Sequence, residues 1–257
     1  MLERFLKRTD FSSLEDFKNN FEIVVPENFN FAYDVVDAWA AEEPDKLAML
    51  WTNDEGAEQR YTFADIKEQS DRVASFFLQL GIKRGDCVMM MLKRRVEFWF
   101  TIVALHKIGA VAIPATHLLT PKDLIYRNNS AGIRMIVTAD DKLIMQHVED
   151  SLEQSPTVEF IVSTGAEVSG KWISMAKGKE NAPQFVRPEV VNTNSDISLL
   201  YFTSGSSGQP KMVAHNFLYP LGHIVTAKYW HNVHEKSLHL TVADTGWGKA
   251  VWGKLYG

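Results

Sequence analysis

Short, continuous apolar runs alternate with amphipathic stretches of helical length along the first two thirds of this chain. Strands buried on both faces form unbroken apolar runs, and helices that alternate with them cover both faces of a parallel sheet. The pattern therefore predicts an α/β fold with right-handed crossovers. The predicted strands are residues 87–92, 110–114, 135–138 and 158–162, and the predicted helices are residues 96–108, a helix that starts at 120–123, and 141–152.

Two further features are predicted before this alternation. One is a helix over residues 31–42, and the other is a strand pair, 47–51 and 59–61, joined by a turn at 53–56. Thr62 and Asp65 resemble a capping box at the start of the next helix, and Gly81 is placed to end it.

Residues 164–194 interrupt the alternation of predicted strands and helices, because Gly, Ser, Lys, Asn and Pro are frequent there. We interpret this stretch as an irregular connection between two lobes. The first lobe, residues 1–195, carries the N-terminal helix and hairpin. The second, residues 196–257, opens with an apolar strand at 197–202. A strand at 211–214, a helix from 215 or 216 to about 230 and a strand at 238–242 are predicted to follow.

Composition and charge limit the partners and the compartment that are expected for this protein. A net charge of −5 over 257 residues argues against a nucleic-acid partner, and the basic residues 83–84 and 93–95 are interpreted as a solvated rim. The single cysteine, Cys87, excludes an internal disulfide framework and fits a reducing compartment. Since no segment has the apolar length of a membrane span or the character of a signal peptide, we expect a cytoplasmic protein.

A loop rich in hydroxyl groups and glycines follows the apolar strand at 197–202. Its backbone N–H groups, its hydroxyls and a lysine can converge on a polyphosphate. The spacing is not that of a Walker A motif, and the pattern predicts a hairpin tip. A flexible linker is the alternative, but it would not need a lysine after a proline between two apolar runs. The candidate phosphate-binding residues are Thr203, Ser204, Gly205, Ser206, Ser207, Gly208 and Lys211.

The stretch YFTSGSSGQPKMV, residues 201–213, resembles the phosphate-binding signature of adenylate-forming enzymes, which include acyl-CoA synthetases, luciferases and peptide-synthetase adenylation domains. ADTGW, residues 243–247, is similar to the next motif of acyl-CoA synthetases. The stretch GWGKAVWGKLYG, residues 246–257, is similar to their medium-chain and branched-chain members. The resemblance implies two flavodoxin-like lobes, with the second lobe incomplete in this sequence.

The resemblance also implies a reaction: a carboxylic acid and ATP form an acyl-adenylate, and coenzyme A then displaces AMP. Mg²⁺ would share the phosphate charge, with its protein ligand outside this sequence, and no catalytic residue is assigned within it. Trp247 and Trp252 would line an acyl pocket, although plain core packing is an equal alternative. The adenine, ribose, hinge and catalytic-lysine motifs are expected beyond residue 257, so we expect this chain to be inactive alone.

Other interpretations stay open. The chain could be a non-catalytic polyphosphate-binding fragment or belong to a peptide-synthetase adenylation domain. An exposed apolar face near residue 257 would favour a homo-oligomer. Five of the eight histidines lie in the last 43 residues, but no cysteine is near them, and surface or capping roles are favoured over a metal site. Asp244 is interpreted as a turn or capping residue rather than a general base.

Overall fold

The computed structural model describes residues 1–204 and 208–256. The strands are β1 (Leu47–Thr52), β2 (Glu58–Thr62), β3 (Cys87–Met91), β4 (Val111–Pro114), β5 (Ile133–Thr138), β6 (Phe160–Ser163), β7 (Trp172–Ser174), β8 (Ile197–Thr203) and β9 (Lys211–Asn216). The α-helices are α1 (Leu14–Asn20), α2 (Ala38–Glu42), α3 (Phe63–Gln79), α4 (Glu97–Lys107), α5 (Pro121–Ala131), α6 (Lys142–Ser151), α7 (Met175–Glu180), α8 (Tyr219–Ile224) and α9 (Gly248–Ala250). Short π-helical stretches cover Ala32–Asp37, Val225–Trp230 and Val251–Leu255.

A seven-stranded sheet organises the fold, in the order β7-β6-β5-β3-β4-β8-β9. All neighbours pair in parallel except β8 and β9, which form an antiparallel hairpin. β1 and β2 form a separate antiparallel pair. The predicted α/β class with a parallel sheet is thus confirmed. Strands assigned to both predicted lobes lie in this one sheet, and the division of the chain at residues 195 and 196 stays a prediction.

Helices cover both faces of the sheet, as the continuous apolar strands predict. Phe77 of α3 and Ile102 of α4 lie in one buried cluster with Val88 of β3. Leu124 of α5 lies in a second cluster with Met89, the next residue along β3. Because successive strand side chains point to opposite faces, β3 contributes to both cores, and both of these strand residues are fully buried.

Local signals set where the helices begin and end. Thr62 and Asp65 form a reciprocal capping box at the start of α3, and Thr120 and Asp123 form another at α5, whose first residue is Pro121. Gly132 ends α5 with φ of 58°, a left-handed conformation that favours glycine. The capping box predicted at Thr62 is therefore confirmed.

Three sequence predictions differ from the structure. The stretch predicted as irregular contains β7 and α7, which extend the sheet and cover its face. The predicted strand at 238–242 has no strand partner among the described residues, and its apolar side chains Leu238, Leu240 and Val242 are exposed. The helix predicted from residue 215 or 216 to about 230 begins only at Tyr219, because β9 continues to Asn216 through its pairing with β8.

A buried ion-pair group joins three helical elements on the α3–α4 face. The Lys107 side chain, at the end of α4, is fully buried, and its Nζ lies 2.8 Å from Asp37 Oδ1 and 2.5 Å from Asp71 Oδ1. Asp37 belongs to the π-helical stretch before α2, and Asp71 to α3. Burial raises the pKa of Asp37, and Lys107 opposes that rise. The buried charge of Lys107 is tolerated because these two partly exposed carboxylates compensate it.

Because His106, on α4, is buried, we expect the stability of the protein to depend on pH. The ring nitrogen Nε2 of His106 lies 3.1 Å from the Tyr256 hydroxyl, and burial lowers the pKa of this side chain to about 4. Between that value and the unfolded value near 6.5, the unfolded chain binds the extra proton, so stability falls as pH falls through this window. Lowering the pH through this whole window should reduce the free energy of unfolding by about 3 kcal/mol, since each unit of pKa difference corresponds to about 1.4 kcal/mol.

Urea unfolding at several pH values between about 7.5 and 4.5 measures this dependence. A His106→Gln variant cannot titrate, so its slope of unfolding free energy against pH should be shallower than that of the wild type, whatever its absolute stability. Parallel slopes for the two proteins would contradict the assignment.

Candidate functional site

The carboxyl ends of the parallel strands meet at one edge of the sheet, and this edge is the expected place for a ligand. The chain runs from β3 to β4 on one side and then returns to β5 on the other side of β3. Strand order therefore reverses between β5 and β3, and the ends of β3 and β4 border a neighbouring crevice. β8 lies beside β4 in parallel, and its last residue, Thr203, ends at the same edge.

The candidate phosphate loop connects β8 to β9 at this edge. Thr203 and Lys211 face each other across the hairpin, and Thr203 Oγ1 lies 3.4 Å from the Lys211 carbonyl oxygen. Thr203, Ser204 and Lys211 are exposed, as is Gly208, whose φ of 86° favours glycine. The hairpin tip predicted from sequence is confirmed by the antiparallel pairing. Gly205, Ser206 and Ser207 lie outside the described residues.

Helix α5 holds the second half of the loop in place. The Tyr126 hydroxyl donates a 2.9 Å hydrogen bond to the Pro210 carbonyl, and the Arg127 guanidinium lies 5.3 Å from the centre of the Phe202 ring. The first contact fixes the backbone just before Lys211, and the second packs against the side chain of Phe202, just before Thr203. Sequence reasoning missed Tyr126 and Arg127, because neither belongs to the loop motif and their partners are distant in sequence.

The turn at residues 244–247, which carries the ADTGW motif, lies over the crevice between β3 and β4. Thr245 Oγ1 donates to the carbonyl of Lys93, which follows β3. Gly246 lies so close to the end of β4 that a Cβ on it would sit 2.1 Å from the Thr116 backbone nitrogen. The phosphate loop and this turn, about 40 residues apart in sequence, therefore share one edge of the sheet.

Asp244 organises this turn. Its Oδ1 accepts a 2.9 Å hydrogen bond from the Gly246 backbone N–H, and its Oδ2 lies 3.4 Å from Nδ1 of His117, in the loop after β4. The interpretation of Asp244 as a turn residue is confirmed. His117 was missed, since only the fold brings it next to Asp244.

The basic residues 93–95 follow β3, and Lys93 reaches the start of α6, which follows β5. Lys93 Nζ lies 2.6 Å from Asp141 Oδ2, and Arg95 pairs with Glu97 at 3.1 Å. The hydrogen bond from Lys93 lowers the pKa of Asp141, whose charge is further stabilised by backbone N–H groups at the start of α6. The backbone of Lys93 has a φ of 50°, which is uncommon for a residue with a side chain. The tight bend after β3 is thus fixed by an ion pair and by Thr245.

The two predicted acyl-pocket tryptophans differ in their surroundings. The Trp247 side chain is 68% exposed. Trp252 is half-buried and lies among the rings of His223, His231 and Trp230. The acyl-pocket role of both tryptophans stays a prediction. Two clefts formed by the described residues lie elsewhere, one of about 320 Å³ beside Ile197 and one of about 560 Å³ beside α3 and α7.

Comparison with known proteins identifies the family. The model of the AMP-binding enzyme family matches residues 36–255. Human mitochondrial acyl-coenzyme A synthetase ACSM3 is 31% identical over 96% of this chain and 43% of its own length. The mitochondrial ACSM5 enzyme of Rattus norvegicus is 35% identical over 89% of this chain and 40% of its own length. The chain thus spans less than half the length of these curated relatives.

Solved structures show the same fold. A Brucella canis acyl-CoA synthetase superposes with a TM-score of 0.74 at 21% identity, over 87% of this chain and 40% of that one. The anthranilate CoA ligase AuaEII, in complex with anthranoyl-AMP, superposes with a TM-score of 0.70 at 22% identity, over 80% of this chain and 38% of that one. By its match to the family model over most of its length, and by its likeness to the acyl-CoA synthetases ACSM3 and ACSM5, this chain belongs to the AMP-binding enzyme family.

Proposed function

We propose that this chain supplies the ATP-phosphate site of an AMP-forming acyl-CoA synthetase. One observation carries the proposal: the hydroxyl-rich β8–β9 loop and the 244–247 turn lie at the same carboxyl edge of the sheet. Membership in the AMP-binding enzyme family supports it. The two activities kept open from sequence, a peptide-synthetase adenylation domain and a polyphosphate binder, are less well supported, because ACSM3 and ACSM5 are acyl-CoA synthetases.

In this proposal, several residues of the loop contact the phosphates of ATP together. The hydroxyls of Thr203 and Ser204, with those of Ser206 and Ser207, donate to the β- and γ-phosphate oxygens, and backbone N–H groups around Gly205 and Gly208 add to them. Lys211, exposed at the start of β9, supplies the positive charge. The Tyr126 contact to Pro210 holds the lysine end of the loop in register.

The reaction then requires positioning and charge stabilisation more than a protein nucleophile. The acid carboxylate attacks the α-phosphorus of ATP, the bond to the bridging oxygen of the β-phosphate breaks, and pyrophosphate leaves. The thiol of coenzyme A attacks the acyl carbon, AMP leaves with the bonding electrons, and the thiol proton passes to solvent. These atoms balance without any redox step.

Mg²⁺ is proposed to arrive with the nucleotide. Within residues 1–204 and 208–256, no three His, Cys, Asp or Glu side chains are grouped so as to hold a metal ion. Mg²⁺ commonly keeps its waters and binds through substrate phosphates, so it would neutralise phosphate charge there.

The acid is proposed to lie near Trp252 and Trp247, and a small or medium-chain acid fits the resemblance of residues 246–257. No helix in the described part of the chain combines the length and apolar character needed to cross a bilayer. A cytoplasmic location and a homo-oligomer stay predictions, and both ACSM3 and ACSM5 are named as mitochondrial.

Binding of ATP tests the role of Lys211. Titration calorimetry with Mg·ATP should show that Lys211→Ala weakens binding by about tenfold or more, because a hydrogen bond to a charged group contributes about 1.5–3 kcal/mol. The matched control is Lys18→Ala, an exposed lysine of α1. Equal affinity of the Lys211 and Lys18 variants would contradict the assigned role.

Acid-dependent exchange of labelled pyrophosphate into ATP tests the adenylation step itself. The same assay decides whether the 257 residues alone catalyse it. Exchange by the purified chain would show that our expectation of an inactive fragment is wrong, whereas ATP binding without exchange would agree with it.

A further inference from the structure

The half-buried ring of Trp252 stacks nearly parallel to two imidazoles. The His223 ring lies 5.7 Å from it, centre to centre, with 11° between the ring planes. The His231 ring lies 5.8 Å away at 15°, and Trp230 extends the stack at 6.3 Å and 17°. Near-parallel offset stacking is a favourable arrangement for such rings. The orientation of Trp252 is therefore set by its neighbours.

The two imidazoles act through their ring faces rather than through hydrogen bonds from Nδ1. Nδ1 of His223 and Nδ1 of His231 are buried, and neither has a hydrogen-bond partner within the described ranges. A buried polar atom without a partner is unfavourable and calls for an explanation. The contacts that hold these rings are stacking contacts: His223 stacks with Trp252, and His231 stacks with Trp252 and, at 5.0 and 5.1 Å, with Trp230 and His239.

One continuous helical segment carries both imidazoles, because α8 passes directly into the Val225–Trp230 stretch. His223 lies on α8, where its ring meets the Tyr219 ring edge-on at 4.4 Å. His231 follows the Val225–Trp230 stretch, and its backbone N–H donates a 2.9 Å hydrogen bond to the Thr226 carbonyl. That stretch is tied to the N-terminal segment by the Tyr229 hydroxyl, which donates to the Thr9 carbonyl at 2.8 Å. Both imidazoles that stack with Trp252 are thus anchored through this segment.

We infer that His223 and His231 are positioning residues that fix the Trp252 ring, and that through it they limit which acids the chain accepts. The second half of this inference rests on the proposed function, because it requires Trp252 to border the acid. A tryptophan held in one orientation presents a fixed wall, and an apolar pocket discriminates between substrates that differ by one methylene by about 10-fold to 200-fold.

Near-ultraviolet circular dichroism of the 257-residue chain tests the stack without any need for activity. The difference spectrum between wild type and Trp252→Phe isolates the Trp252 signal. We expect His223→Ala and His231→Ala each to reduce that signal at least twofold, and His231→Phe, which keeps a flat ring and removes the nitrogens, to retain it. His234→Ala, a change at an exposed histidine of the same segment, should leave it unaltered. An undiminished Trp252 signal in both alanine variants would overturn the inference.

Calorimetric binding of butyrate and octanoate, in the presence of Mg·ATP, tests the effect on acids. The wild-type ratio of the two affinities should change at least threefold in His223→Ala or His231→Ala and return towards its original value in His231→Phe. An unchanged ratio would overturn the selectivity role. If the wild-type chain binds ATP but neither acid, the acid site of the proposed function fails, and the selectivity role fails with it, while the dichroism still decides whether the imidazoles hold Trp252.

Discussion

Replacing Lys107 with alanine should lower the free energy of unfolding by about 3–5 kcal/mol, which is the usual cost of removing one partner from a buried ion pair. The fully buried ammonium group compensates Asp37 and Asp71 at 2.8 and 2.5 Å. Without it, Asp37 loses its ion pair on a face where burial already raises its pKa, while Asp71 keeps its 2.5 Å pair with Lys67. Urea denaturation at neutral pH measures the loss.

Lys107→Met separates charge from packing, because methionine nearly fills the space without restoring the charge. We expect this variant to be about as unstable as Lys107→Ala, and Lys83→Ala, at an exposed lysine, to lie within about 0.5 kcal/mol of the wild type. A Lys107→Met protein as stable as the wild type would show that the ion pairs contribute nothing and that our account of this face is wrong.

Replacing Gly246 with alanine should displace the 244–247 turn from the crevice. The added Cβ would lie 2.1 Å from the Thr116 nitrogen and 2.4 Å from the Ala115 carbonyl carbon. Both are backbone atoms, so the clash can be relieved only if the chain itself shifts. The contacts of Thr245 with Lys93 and of Asp244 with His117 would be lost together. Misplacement of about 1 Å near a reacting centre can cost about 100-fold in rate.

Two measurements test whether Gly246→Ala displaces the turn. Hydrogen exchange of the Trp247 amide, which donates to the Asp244 carbonyl at 3.0 Å, should accelerate at least about tenfold, and pyrophosphate exchange should fall by about 100-fold wherever it is measurable. The matched control is Gly222→Ala in α8, where a Cβ meets nothing within 4 Å. An exchange rate for Trp247 that is the same in both variants would exclude the close approach as the feature that fixes the turn.

Local pattern in the sequence was enough to predict the central strands and the start of α3. The run at 87–92 is unbroken and apolar because β3 is buried on both faces, and Thr62 with Asp65 indicated the start of α3. β7 was missed, since a three-residue strand at a sheet edge carries little periodic signal. Residues 238–242 alternate like a strand, yet alternation cannot supply the hydrogen-bonding partner that a strand requires.

The candidate site likewise contains residues that the sequence pattern identifies and residues that only the fold brings together. Thr203, Ser204, Gly208 and Lys211 could be named from composition and order, because a phosphate loop is a local motif. The contacts of His117 with Asp244 and of Tyr126 with Pro210 join residues far apart in sequence, so only the assembled sheet brings them together. The buried role of Lys107 was hidden for the same reason, as its carboxylate partners come from two other helical elements.

The structure of this chain with a non-hydrolysable ATP analogue tests the central claim most directly. The account predicts that the triphosphate lies at the carboxyl edge of β8, with its oxygens within hydrogen-bond distance of the Thr203 and Ser204 hydroxyls and of Lys211 Nζ. A triphosphate bound at any other surface, with Lys211 directed away from it, would contradict the account.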